Sequence, residues 1–283
     1  MPVISRLTDQ GVEVFDAALD LLHTIPAPSA ESHAVTSTLD GIALVTDSAV
    51  ALVRPDGTEV WRLELGAQRP RGNSCAGCAF SPDDRLLWVY LPNEMAGRDG
   101  GDQWLIVEAA TGEVRRRHAL PTAGHGGSHL ALSDGRMLLD VGEGQDGTRI
   151  FLAGPDGEVR AFPWIDRSVS DVSPDESQFM TVHHEQEDVA FHAFPGGEVL
   201  ARVEIAEASF EWTGGYLDAD TAIVVISGED SRGDEWWRHF RVSTSTGEVL
   251  GELPIVTIDP YDLRPMGDGT FVITDTDGTL RRM

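Results

Sequence analysis

Two cysteines and two histidines stand at spacings that suit a metal. Cys75-x2-Cys78 and His125-x3-His129 offer two thiolates and two imidazoles, a donor set for tetrahedral zinc at about 2.3 Å to sulfur and about 2.1 Å to nitrogen. Alternate strand residues point to opposite sides, so Cys75 and Cys78 converge only through a turn, which Gly77 would permit. The plainer alternative, preferred here, is a buried cysteine pair with two loop histidines. A redox Cys-x-x-Cys is less favoured still, because no βαβ pattern surrounds it. His183 and His184 lead an acidic run ending in Asp188, and with His125 they are candidate general bases near neutral pH. The acidic loops 99–102, 143–146 and 229–234 hold oxygen donors for calcium, but none fits an EF-hand, and a solvated surface is the better reading. Trp236-Trp237, Tyr261, Arg69 and Arg71 are contact candidates of the kind that anchor interfaces.

These residues need a scaffold, and the scaffold announces itself in a recurring turn. Pro55-Asp56-Gly57-Thr58-Glu59-Val60 has relatives at Thr111-Gly112-Glu113-Val114, Asp156-Gly157-Glu158-Val159, Gly196-Gly197-Glu198-Val199 and Thr246-Gly247-Glu248-Val249. The key glycines lie 55, 45, 40 and 50 residues apart. Gly is what a hairpin needs where φ is positive, and a hairpin returning at that period predicts stacked small sheets. The second unit is a four-stranded meander: strands end at Ala79-Phe80-Ser81, return through Arg85–Leu91, then run over Gln103–Glu108 and Glu113–His118.

The expected fold is therefore an all-β propeller of four-stranded antiparallel blades in one domain, 1–283. Blades fall near 34–66, 74–121, 128–164, 168–205, 209–255 and 261–283 with 11–25. Six blades is the first reading, with Val12–Phe15 pairing with the last blade to close the ring and remove a bare edge. Seven is the alternative, and Asp16–Leu22 reads as either strand or short helix.

With strands a to d in each blade, a–b and c–d turns share one end and b–c and d–a loops the other. The first end is plain, and its Glu59, Glu113, Glu158, Glu198 and Glu248 are turn residues rather than a catalytic pair. The second end collects the long, aromatic and histidine-bearing loops, where function usually sits.

Composition narrows the field. The chain has 47 acidic against 21 basic residues, a net charge of −26, which disfavours nucleic acid and anionic membranes as partners. It contains no lysine, which removes Schiff-base chemistry and a Walker phosphate lysine. No apolar run approaches the roughly 20 residues of a membrane helix, and the N-terminus lacks a secretory pattern. Two cysteines give no disulfide framework, so a reducing, cytoplasmic setting is expected. No Gly-x-Ser-x-Gly or His-Glu-x-x-His is present.

Phe80-Ser81-Pro82-Asp83-Asp84, Val172-Ser173-Pro174-Asp175 and the Thr-Gly-Glu-Val turns resemble WD40-like and YVTN-like propeller repeats. That resemblance implies the fold and, by family habit, a binding platform; it carries over no catalytic residue. The expected function is a module holding a protein or small ligand on the loop-rich end. The alternative is a metal-assisted lyase, hydrolase or epimerase centred on Cys75, Cys78, His125 and His129 with possible zinc.

Overall fold

The computed structural model describes residues 3–65, 74–93, 101–205 and 208–283. They form seven antiparallel sheets, and the chain divides into two compact units, Met1–Pro163 and Trp164–Met283.

The first unit holds four sheets. β1 (Ile4–Thr8), β2 (Gly11–Phe15) and β3 (Leu21–Ile25) make the first; β4 (Ser32–Val35) to β7 (Glu59–Glu64), through β5 (Ile42–Val45) and β6 (Ala49–Val53), make the second. β8 (Gly77–Phe80), β9 (Leu86–Leu91), β10 (Asp102–Glu108) and β11 (Val114–Leu120) follow, then β12 (Gly126–Ala131), β13 (Met137–Gly142), β14 (Thr148–Ala153) and β15 (Val159–Ala161). The first strands β1, β4, β8 and β12 lie each against the next.

The second unit holds three. β16 (Arg167–Val172), β17 (Gln178–His183), β18 (Asp188–Ala193) and β19 (Val199–Glu204) are followed by β20 (Ser209–Tyr216), β21 (Thr221–Glu229), β22 (Glu235–Ser243) and β23 (Val249–Leu253). The last sheet has three strands, β24 (Leu263–Pro265), β25 (Phe271–Thr274) and β26 (Leu280–Arg282). Here too the first strands β16, β20 and β24 face one another in turn.

The blade count is thus seven, the alternative reading of the sequence rather than the first. Residues 4–25 carry a whole sheet: β2 pairs with β1 through Val14↔Ser5 and with β3 through Val14↔His23. Both edges of Val12–Phe15 are occupied within that sheet, so these residues do not supply the strand expected to complete the last blade. Nor is Asp16–Leu22 a helix. The Asp16 carboxylate accepts from the N–H groups of Ala18 and Asp20, each at 2.9 Å, and tightens a turn in which Leu19 has φ 68°.

Strands buried on both faces explain the core. In β9, Leu87 and Val89 pack toward Val45, Val50 and Leu105, while Leu86, Trp88 and Tyr90 pack toward Met137, Leu139 and Phe151. β21 repeats the device: Val224 and Ile226 join Met180, Val182 and Phe191, whereas Ile223 and Val225 join Leu263, Phe271 and Ile273. Period-two alternation therefore fills two inter-blade cores from one strand. Each buried Val, Leu or Ile contributes about 1.5–3 kcal/mol.

The recurrent turn glycines adopt the conformation that their spacing implied. Gly57, Gly112, Gly157, Gly197 and Gly247 all have positive φ, from 74° to 98°. Gly112 is doubly constrained, because a Cβ there would lie 2.7 Å from the Trp61 ring. That indole in turn donates to the Ala109 carbonyl at 2.7 Å, pinning one blade to the next. At the a–b turns, Ser81 and Ser173 each donate to an aspartate two residues on, at 2.7 Å. Asp84 adds a clip, accepting from the Ser37 hydroxyl at 2.6 Å.

Candidate functional site

The four candidate metal ligands do not assemble. Cys75 is exposed just before β8, and its N–H donates to the His125 carbonyl at 2.8 Å, so the two meet through backbone. Cys78 lies within β8, its sulfur 3.8 Å from the Ser32 hydroxyl, and burial pushes its thiol up to about 12. His129 Nε2 accepts from the Trp104 indole N–H at 3.1 Å. Burial pushes that ring down to about 3, which keeps it neutral with its proton on Nδ1. Among the described residues no three His, Cys, Asp or Glu side chains gather as a metal would need.

The remaining candidates divide. Arg69 and Arg71 lie outside the described residues. His183 sits between two carboxylates, 3.7 Å from Asp166 and 3.8 Å from Glu187. His184 stacks on Trp212, with ring centroids 6.1 Å apart and planes at 28°. Asp188, last of the acidic run, is no loop-tip residue. Its carboxylate is buried and bridges Arg167 at 2.5 Å and Arg202 at 2.6 Å. Burial opposes its charge, but the two guanidiniums hold it below the ordinary carboxylate range.

The tryptophan pair and Tyr261 fall together. Within the second unit a cleft of about 750 Å³ is lined by Trp236, Trp237, Glu211, Glu229, Glu235 and Asp259 among others. Its walls come from the β21–β22 hairpin, the start of β20, the β17–β18 loop at Gln186 and the segment before β24. These are the b–c and d–a connections, the end that gathers the irregular loops.

Neighbouring positions on β22 point to opposite faces of its sheet. Trp236 therefore packs on the core shared with β16–β19, and Trp237 on the core shared with β24–β26. Both rings are half-buried, so neither merely covers the other. Trp237 is fixed by donating to the Thr257 hydroxyl at 3.0 Å, and Arg238 lies 5.3 Å over the Trp236 ring. A Cβ on Gly228 would come within 2.7 Å of that ring, so the glycine makes room for it.

Sequence reading did not single out Glu211 and Trp212. The β20–β21 ladder jumps between Phe210 and Gly214, and residues 211–213 leave the pairing. That bulge turns Trp212 outward to 43% exposure. Glu211 accepts from the Tyr261 hydroxyl at 3.1 Å, and burial followed by the Glu211 charge pushes that phenol up to about 12. Val256, Ile258 and Tyr261 are exposed on the segment that supplies Asp259 and Pro260 to the cleft, where Thr257 holds Trp237 and Tyr261 reaches Glu211.

No helix among the described residues is long and apolar enough to cross a membrane. No family model and no curated protein matches the chain. Solved structures do. The β-propeller domain of Cps50 (Swd1) from Myceliophteria thermophila aligns with a TM-score of 0.66 at 10% identity, covering 99% of this chain and 92% of that one. The computationally designed Ika8 protein aligns with a TM-score of 0.62 at 14% identity, over 99% of this chain and 79% of the design. A Bacteroides caccae protein of unknown function aligns with a TM-score of 0.51 at 12% identity, over 89% and 92%. At such identities the likeness speaks for architecture alone, and with the blades described above it shows that this chain has the β-propeller fold.

Proposed function

We propose that the protein is a binding module that holds a partner at the loop-rich end of the Trp164–Met283 unit. The observation that carries this reading is the cleft, where half-buried tryptophans and convergent polar groups open beside exposed Trp212, Val256, Ile258 and Tyr261. A concave, aromatic-lined site on rigid strands is what a ligand or a partner's anchoring side chains use. Propellers as scaffolds for protein contacts support the reading by analogy of fold. A cytoplasmic setting fits the two free cysteines. The metal-assisted reading finds no gathered ligand set in its favour among the described residues.

Affinity enrichment with quantitative mass spectrometry tests it on three forms of the full chain: wild type, Trp212→Ala/Tyr261→Ala, and a plain-end variant, Glu113→Gln/Glu158→Gln. A partner held by wild type and the plain-end variant, but reduced more than about tenfold by the cleft variant, supports the reading. A partner lost only with the plain-end substitutions overturns it.

A further inference from the structure

The lining of the cleft gathers charge of one sign. Glu211, Glu229, Glu235 and Asp259 line it, and no arginine or histidine is among its described lining residues. Glu229 and Glu235 are direct cross-strand partners at the turn end of the β21–β22 ladder. Like charges placed opposite one another in a ladder cost stability, and both residues are exposed. The hairpin tip beyond them is held by Asp230, which accepts from the N–H groups of Arg232 at 2.7 Å and Asp234 at 3.1 Å, so the facing glutamates are not needed to form the turn. Arg238, the nearest cation on β22, is directed to Glu252 at 3.7 Å and to the Trp236 ring. The arrangement costs the free protein and is relieved by a cation.

Resting on the binding reading above, we infer that the cleft takes the arginine or lysine side chains of an extended basic segment of a partner protein. A small amine would satisfy the carboxylates, but it would leave Trp212, Val256, Ile258 and Tyr261 uncovered beside them. A segment that interleaves basic and apolar residues covers both. The net charge of −26 would speed the approach of such a partner. It would also attract cations indiscriminately, so the test must separate site from field.

Selection of a random peptide library displayed on phage, against the immobilised full chain, does this. Two variants each remove three carboxylates: Glu229→Gln/Glu235→Gln/Asp259→Asn in the cleft, and Glu113→Gln/Glu158→Gln/Glu248→Gln at the plain end. Wild type and the plain-end variant are expected to enrich peptides carrying Arg or Lys next to apolar residues. The cleft variant is expected to lose that enrichment, with selected synthetic peptides binding it at least about tenfold more weakly. Equal enrichment by both variants overturns the proposal, because the net field would then be the cause. Apolar peptides without basic residues, selected by wild type and lost in Trp212→Ala/Tyr261→Ala, overturn the cationic partner while leaving the binding site standing. Selection that is indifferent to both cleft variants overturns the site as well. Spermidine competing as tightly as the selected peptides, at matched ionic strength, overturns the protein segment in favour of a small polycation.

Discussion

The strand starts around Cys78 and His129 and the cleft around Trp236 hold equally suggestive residue types, yet they differ in what their polar groups still have to offer. At the first, the imidazole is spent on an indole and the thiol is held neutral beside a hydroxyl. At the second, Glu229 and Glu235 face one another and the aromatic rings flank an opening. Residue type proposes chemistry, and the hydrogen bonds already made decide whether any of it remains.

Thiol reactivity gives the largest contrast. A thiol raised from its ordinary value of 9.0 to about 12 loses on the order of a thousandfold of its thiolate near pH 8, and the thiolate is the nucleophile. Ellman's reagent should therefore titrate one cysteine quickly in the native protein, the exposed Cys75, and both after unfolding. Two fast thiols in the folded chain, or one fast thiol slowed by added zinc, would put Cys78 or Cys75 back among groups with chemistry to spare.

Acid stability comes next. Burial pushes His129 down to about 3 and His192 and His239 to about 4. The unfolded chain takes up these protons below about pH 6.5 while the folded one refuses them, so stability is full above that pH and falls on acidification. Asp171, raised to about 6 by burial, works the other way and offsets one of the three. The net slope approaches about 2–3 kcal/mol per pH unit between pH 6 and 5, readable as a falling urea midpoint. A midpoint flat over that range would mean that these rings are charged in the fold.

Two histidine substitutions sharpen the same point with opposite signs. His129→Leu strands the Trp104 N–H in the core and should cost about 1–3 kcal/mol. His239 is 1% exposed and neither ring nitrogen has a partner, so His239→Leu removes two unsatisfied atoms and should leave stability unchanged or raise it by about 1 kcal/mol. Chemical denaturation of both variants at pH 7.5 reads the difference. A large loss in His239→Leu would reveal a role for that ring that its surroundings do not explain.

What was legible in the sequence follows the same division. Turn glycines were readable because a positive φ restricts residue type, and all five occupy that region. The first blade was not, because its second turn puts a leucine, Leu19, in the left-handed region and its strands lack the Gly-Glu-Val punctuation. Trp236, Trp237 and Tyr261 were readable as aromatics of the irregular end, but the first two lie within β22, paired with Gly228 and Ser227, and not in the loop that the sequence suggested. Glu211 and Trp212 were hidden, since nothing in Phe210-Glu211-Trp212-Thr213 announces that the ladder jumps there. The silence of Cys78 and His129 was invisible too, because it depends on Ser32 and Trp104, 46 and 25 residues away.

The smallest effect is also the most discriminating. If Glu229 and Glu235 face each other for a partner's sake, removing one charge should not weaken the free protein. Exposed substitutions of this kind move stability by about 0.5 kcal/mol or less, and relief of cross-strand repulsion sets the sign as favourable. Glu235→Gln should therefore unfold at a urea midpoint equal to or slightly above that of wild type, with the gain shrinking as salt screens the pair. Glu158→Gln, at a position that faces Gly154 across its turn, should show no salt-dependent gain. A loss of stability in Glu235→Gln would mean that the pair holds the hairpin together, and the reason for expecting a cation between the two glutamates would be gone.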